Sequence, residues 1–224
     1  AKFALNDPHL VPRYAVLDPV LTVGPPPDLT ATTGLDALTH AVEAYIGHSN
    51  TELTERSAKE AVALIFEWLP KAYANGEDLE ARGHMLHASY EAGIAFTRAY
   101  VGYVHAVAHT LGGFYGVAHG LANAVILPVV LDYYGDAAWT RLSDLAQVIG
   151  VGGSGSAQAD AQAFIAAIRK LEAGMDIPAG FDCIREEDLP QMIDNALREG
   201  NPLYPVPREF DRADFEHIYR AIML

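Results

Sequence analysis

The chain has one cysteine, few basic residues and no long apolar run. Cys183 cannot form an internal disulfide, which excludes a small disulfide-stapled domain and favours a reducing cytoplasm. Only 15 Lys and Arg stand against 29 Asp and Glu, and the formal charge is −14. Such a surface repels phosphate groups, so we expect neither nucleic acid nor an anionic membrane as a partner. The longest apolar candidate, residues 124–131, contains Pro128 and is far shorter than the roughly 20 residues of a membrane span.

A phosphate-binding loop is also missing from the sequence. The glycine-rich stretch at residues 150–156 lies between two helical patterns, whereas a dinucleotide-binding loop follows a strand and opens a helix. We therefore predict an interhelical loop at this position and no nucleotide-binding domain in this chain. Strand patterns are sparse outside residues 13–17.

Hydrophobic periodicity predicts an all-α fold instead. With 224 residues, half of them hydrophobic, the chain can bury a substantial core. Residues 1–28 are proline-rich and predicted to be extended, and residues 29–224 are predicted to form one helical domain. Apolar residues at helical spacing predict nine helices, at residues 33–46, 54–74, 78–98, 101–112, 121–134, 137–149, 157–174, 186–198 and 211–223.

One polar pair stands out in the first of these helices. Asp36 and His40 are four residues apart, so their side chains lie on one helix face and can reach the same point in space. Such a pair also occurs by chance on solvated helix faces. By itself it is weak evidence for a metal site.

A second histidine-rich stretch strengthens the metal hypothesis. His105 and His109 share a helix face, and glycines at positions 112, 113 and 116 are expected to loosen the chain so that His119 turns back towards them. The stretch is otherwise apolar, so the imidazoles need partners. A structural histidine bonded to a backbone carbonyl is the alternative for any one of them. A carboxylate and three imidazoles would hold a divalent transition metal and leave a position open for a substrate oxygen.

The remaining histidines lack such support. His84 and His87 are three residues apart, but no nearby carboxylate is evident in the sequence, so a helix-surface role is predicted for both. His9, His48 and His217 belong to no pattern.

Three motifs carry the candidate residues: Leu-Thr-Ala-Thr-Thr-Gly-Leu-Asp-Ala-Leu-Thr-His at residues 29–40, Gly-Tyr-Val-His-Ala-Val-Ala-His at 102–109 and His-Gly-Leu-Ala-Asn-Ala at 119–124. Together they resemble the metal-binding region of the iron-containing (group III) alcohol dehydrogenases. The resemblance covers nearly the whole chain. It departs from the family at Ala118, where many relatives have proline. It implies a multi-helix C-terminal domain of the dehydroquinate synthase-like fold, and it implies the following residue roles. The implied metal ligands are Asp36, His40, His105 and His119. The implied catalytic residue is His109, which would lie beside the metal and the nicotinamide. Phe96 is implied to line the substrate pocket.

The resemblance further implies the metal-binding catalytic domain of an NAD(P)-dependent alcohol dehydrogenase that acts on a small alcohol or aldehyde. Fe(II) is the expected metal, although Zn²⁺ binds such ligands more tightly and is a possible occupant after purification. Because the N-terminal nucleotide-binding domain is missing, we expect little or no turnover by the chain alone. Two alternatives stay open: a stand-alone metal-binding or structural domain without activity, and a helical domain whose four candidate ligands do not converge.

The N-terminal segment is expected to matter for assembly. Residues 13–17 resemble a strand that would pair with the sheet of the missing domain. An unpaired strand tends to find another edge. We therefore expect residues 1–23 to be mobile or to pair in a homodimer.

Overall fold

A computed structural model of the chain describes residue 9 and residues 12–224. Within these residues, a short 3₁₀ helix (Pro19–Thr22) precedes nine α-helices. The described residues contain no β-strand. The helices are α1 (Pro27–Ile46), α2 (Glu52–Ala74), α3 (Leu79–Ala99), α4 (Tyr103–Tyr115), α5 (His119–Tyr134), α6 (Asp136–Val148), α7 (Ala157–Ala173), α8 (Leu189–Gly200) and α9 (Arg212–Ala221). The predicted all-α fold is confirmed.

Helix α1 lies at the centre of the domain. It packs against α2, α3, α5 and α6, and Leu35, Leu38 and Val42 are completely buried. Helix α4 packs against α5 and α8. A peripheral helix such as α8 buries only one stripe, which includes Met192, Ile193 and Ala196. Thr39 and Glu43 of α1 are therefore buried among other helices, although both are polar.

Local sequence signals fix several helix starts. Thr51 and Thr54 form a capping box at α2, in which the Thr51 hydroxyl accepts from the Thr54 amide and the Thr54 hydroxyl accepts from the Thr51 amide. Asp78 accepts from two backbone amides at the start of α3. Helices α2 to α9 begin and end within three residues of their predicted bounds.

Three details differ from the sequence-based expectation. Helix α1 begins at Pro27, six residues before the predicted start at 33, because proline at a first helical position has no amide hydrogen that needs a partner. Glycines 112 and 113 lie inside α4, and only Gly116, with φ of 70°, ends it. Residues 13–17 belong to no strand, and Tyr14 and Val16 are largely exposed.

The remaining expectations about organisation concern the loop and the N-terminal segment. Residues 150–156 connect α6 to α7, as the interhelical-loop prediction required. Within residues 1–28, positions 1–8, 10 and 11 lie outside the described residues. None of the helices in the described part of the chain combines the length and apolar character needed to cross a membrane.

Glu172 near the end of α7 gives a prediction about stability. Burial raises its pKa to about 8, and Oε1 is buried without a hydrogen-bond partner among the described residues. Because the folded-state pKa lies above the ordinary value of 4.5, folding favours the protonated form, and stability is lost as pH rises between these values. We expect Glu172→Gln to be about 2 kcal/mol more stable than the parent at pH 9. The gain should shrink towards pH 5.5, as measured by urea unfolding.

Glu187→Gln is a matched control, since the Glu187 side chain is mostly exposed. Its effect should be small at both pH values. A gain for Glu172→Gln that does not change with pH would contradict this explanation.

Candidate metal centre

Asp36, His40, His105 and His119 converge where three helices of the domain meet; His105 is buried and the other three are half-buried. Each contributes one potential ligand atom, and the four atoms all lie within 4.8 Å of one another. Helix α1 supplies Asp36 and His40 one turn apart, α4 supplies His105, and His119 is the first residue of α5. The cluster therefore depends on the packing of three helices. The alternative in which the four residues do not converge is excluded.

The geometry of the cluster fits a cation. The Asn123 side-chain amide nitrogen lies 2.5 Å from Asp36 Oδ1 and 3.2 Å from both His105 Nε2 and His119 Nε2. One carboxylate oxygen and two imidazole nitrogens thus surround the Asn123 NH₂ group, which donates hydrogen bonds and carries a partial positive charge. Asn123 Oδ1 is buried and has no hydrogen-bond partner among the described residues. These donor atoms, one carboxylate oxygen and imidazole nitrogens, suit a divalent transition metal.

His105 and His40 are held in the neutral form that a metal ligand requires. Burial lowers the pKa of His105 to about 3. Burial, together with the neighbouring His105, lowers the pKa of His40 to about 4. Both imidazoles are therefore unprotonated at neutral pH.

Glu43 orients His105 from the side opposite the cluster. Its Oε2 lies 2.6 Å from His105 Nδ1, which makes Nδ1 the protonated nitrogen and leaves the Nε2 lone pair for the cluster. The same carboxylate accepts the backbone amides of Gly102 at 2.9 Å and Val104 at 2.7 Å. Burial raises the pKa of Glu43 to about 7, although its backbone donors act in the opposite direction and favour the carboxylate.

Two glycines allow the helices to approach closely enough for this arrangement. A Cβ atom at Gly102 would lie 2.7 Å from Glu43 Oε1. A Cβ atom at Gly120, the residue after His119, would lie 2.4 Å from the backbone oxygen of Thr32 in α1. Any larger residue at either position would push Glu43 or α5 away from the cluster.

His109 lies beside the four candidate ligands and outside their group. Its ring stacks on that of His119 with the centroids 5.1 Å apart. Its Nδ1 is 2.6 Å from Glu199 Oε1, an oxygen that also accepts from the Tyr204 hydroxyl at 2.7 Å. The His109 and Glu199 side chains are each about one-third exposed. His109 is thus positioned by a carboxylate and is accessible to a small molecule.

Phe96 lies at another edge of the cluster. Its ring stacks on that of His40 with centroids 4.3 Å apart and an interplanar angle of 20°. Helix α3 therefore contributes an aromatic wall next to a candidate ligand. The role of Phe96 in substrate binding stays a prediction.

His84 and His87 lie outside this centre. His84 stacks on Trp68 with the centroids 3.9 Å apart. The expectation that no carboxylate accompanies His87 is wrong, because Glu60 and Glu91 lie close to it. Glu91 lies one turn from His87 on α3, whereas Glu60 belongs to α2. Only the packing of α2 on α3 brings the three side chains together.

Sequence reasoning missed Glu43, Asn123 and Glu199. Glu43 follows His40 by three residues and Asn123 follows His119 by four, so each shares a helix face with a candidate ligand. This spacing is a sequence signal from which Glu43 and Asn123 could have been predicted to lie near the candidate ligands. Glu199 is ninety residues from His109, and no sequence signal connects them.

Comparison with known proteins agrees with the fold and with the motifs. A family model described as "Fe-containing alcohol dehydrogenase family, C-terminal" matches residues 30–223. The chain is 41% identical over 222 residues to the 1,3-propanediol dehydrogenase of Klebsiella pneumoniae, covering 98% of this chain and 57% of that protein. It is 39% identical over 201 residues to the NAD-dependent methanol dehydrogenase of Bacillus methanolicus, covering 88% of this chain and 53% of the relative.

A solved structure of an alcohol dehydrogenase from Oenococcus oeni matches with a TM-score of 0.87 and 36% identity, over 91% of this chain and 54% of that one. The chain thus spans about half the length of the relatives it matches. The chain belongs to the Fe-containing alcohol dehydrogenase family, of which it represents the C-terminal helical domain.

Proposed function

We propose that this chain is the metal-binding catalytic domain of an NAD(P)-dependent alcohol dehydrogenase that acts on a small alcohol or aldehyde. The observation that carries the proposal is the convergence of Asp36, His105 and His119 on one point between α1, α4 and α5, with His40 beside them. The named relatives are alcohol dehydrogenases, which supports the class of reaction.

Asp36, His40, His105 and His119 would hold the metal. When bound, a divalent ion acts as a Lewis acid that polarises an alcohol or carbonyl oxygen. We propose Fe(II) as the working metal from the family description. Zinc is the competitor, because three imidazoles and one carboxylate bind it more tightly than Fe(II).

His109 is proposed as the residue that moves the alcohol proton. Glu199 holds its Nδ1 and thereby leaves Nε2 as the nitrogen that exchanges a proton with a bound alcohol or with solvent. Phe96 is proposed to bind the carbon chain of the substrate, since its ring lies against His40 and is apolar.

Hydride transfer requires a nicotinamide, which we assign to a nucleotide-binding domain outside this chain. In this proposal residues 29–224 form the metal-binding domain, residues 1–28 form the segment between domains, and the cytoplasm is the site of action. Two tests separate metal binding from turnover. Metal analysis of the purified chain should show one equivalent that His105→Ala removes, and NAD(P)-linked alcohol oxidation should be near background for the chain alone.

The same assay on a protein that includes the N-terminal half found in relatives should give saturable oxidation. Metal binding without turnover in this longer protein would support the alternative of a metal-binding or structural domain. Full turnover by the chain alone would contradict the assignment of the nicotinamide to another domain.

His109 can be tested separately from metal binding. In the longer protein, we expect His109→Ala to lower kcat by roughly 100-fold or more, as expected for loss of a general acid–base group. The metal content should stay at the parent level, because His109 is not among the four ligands. Glu199→Gln should lower kcat less and leave KM unchanged. Loss of metal from His109→Ala would instead assign His109 to the ligand set.

A homodimer through the N-terminal segment remains part of the proposal. Tyr14, Val16 and Leu21 are more than four-fifths exposed, which leaves apolar surface for a partner. Deleting residues 1–23 should convert a dimer into a monomer in light scattering and preserve helix content in circular dichroism. A dimer that survives the deletion would place the contact on the helices.

A further inference from the structure

A second group of potential metal ligands lies on the face of the α2–α3 pair. It consists of Glu60 from α2 and of His87 and Glu91 from α3, and we refer to it as the α2–α3 cluster. His87 Nε2 is 3.7 Å from Glu60 Oε1 and 3.5 Å from Glu91 Oε1. One ligand atom from each residue lies within 4.8 Å of the other two.

These separations are informative because they exceed hydrogen-bond distances. A hydrogen bond from an imidazole nitrogen to a carboxylate would bring the atoms to about 2.8 Å. Neighbouring ligand atoms around a tetrahedral Zn²⁺ are about 3.4 Å apart, since each bond is about 2.0 to 2.2 Å long. The contacts of His87 with both carboxylates are therefore closer to the edge of a zinc coordination tetrahedron than to a hydrogen bond.

The charges of the cluster also favour a cation. Within the part of the chain that the structure describes, His87 is the sole ion-pair partner of Glu60 and of Glu91. Glu91 is only 13% exposed, so its negative charge is partly removed from water. A divalent ion would offset the repulsion between the two carboxylates, and the exposed side of His87 leaves room for a water ligand.

The three residues of the cluster lie on two long helices that pack against each other. His87 and Glu91 lie one turn apart on α3, and Glu60 is held opposite them because α2 and α3 pack along each other. His87 also lies nine residues before Phe96 on the same helix, which corresponds to about 13 Å along the helix axis. The cluster is therefore separate from the candidate metal centre.

We propose that the α2–α3 cluster binds Zn²⁺ through Glu60, His87 and Glu91 and so cross-links α2 to α3. One imidazole nitrogen and two carboxylate oxygens form a zinc-type ligand set, whereas Mg²⁺ and Ca²⁺ favour oxygen ligands alone. The ion would be structural, because the cluster lies away from His109 and Phe96.

Zinc titration of the metal-free chain tests the proposal, with calorimetry and a competing chelator dye as readouts. We expect two bound equivalents for the parent chain and one for His87→Ala, in which the affinity of the lost equivalent falls at least tenfold. Glu60→Gln/Glu91→Gln should behave like His87→Ala and preserves side-chain volume. His84→Ala is the matched control, because His84 lies on the same helix but stacks on Trp68, and it should keep both equivalents.

The candidate metal centre can be removed from the experiment with His105→Ala. We expect the His105→Ala protein to bind one equivalent of zinc and to unfold at a higher temperature when zinc is bound. Adding His87→Ala should abolish both the zinc binding and the increase in the unfolding temperature. An unchanged zinc stoichiometry and affinity after His87→Ala would overturn the proposal and indicate adventitious surface binding only. A parent chain with a single equivalent that disappears with His87→Ala would support this cluster and contradict the proposed catalytic centre instead.

Discussion

His105→Ala should strip the metal from the candidate metal centre and abolish alcohol oxidation by the longer, two-domain protein. His105 is almost completely buried, and its Nε2 is oriented towards the cluster by Glu43. The binding free energy of a four-ligand structural zinc site is about 10 to 16 kcal/mol, so one ligand accounts for about 3 kcal/mol of it. We therefore expect metal affinity to fall by roughly 100-fold or more. Elemental analysis and titration with Fe(II) or Zn²⁺ measure this change.

The control for this variant is His84→Ala, which removes an imidazole from α3 at a distance from the candidate ligands. It should keep the parent metal affinity at this centre. Circular dichroism must show that His105→Ala remains helical, so that metal loss is not a consequence of unfolding. A folded His105→Ala protein that keeps both the parent metal stoichiometry and the parent affinities would remove His105 from the ligand set.

Glu43→Gln should be the second variant with a large effect, although it replaces only one carboxylate oxygen with an NH₂ group. Glu43 Oε1 accepts the Val104 amide, and Oε2 accepts the Gly102 amide and His105 Nδ1. Whichever way the glutamine side chain is turned, its NH₂ group faces a backbone N–H, which cannot change into an acceptor. We expect a loss of about 3 kcal/mol in the free energy of unfolding, because buried donors are left unpaired.

The same variant should weaken metal binding, since His105 loses the partner that fixes its tautomer. Removing such a partner typically lowers metal affinity 10- to 100-fold. Urea unfolding and metal titration measure the two effects independently. Glu67→Gln is the matched control: Glu67 forms an exposed pair with Lys71 and should contribute less than about 1 kcal/mol. Parent-like stability in Glu43→Gln would show that Glu43 does not anchor α4.

The order of the helices was accessible from sequence because each helix carries its own periodic apolar pattern and capping residues. Thr51 and Asp78 mark helix starts by hydrogen bonds to amides only two or three residues away. The start of α1 was placed too late because the run of prolines before it also fits an extended segment.

The sequence by itself determined the all-α fold, the family and the four candidate ligands. Asp36 and His40 are linked by helix geometry, which acts over one turn, and the surrounding motifs identify the family. The tertiary structure decided which side chains support those ligands. Glu43 meets His105 across sixty-two residues, Asn123 meets Asp36 across eighty-seven, and Glu199 meets His109 across ninety. Such contacts depend on how α1, α4, α5 and α8 pack. Periodicity shows which face of a helix is buried, but it does not show which residue of another helix lies opposite.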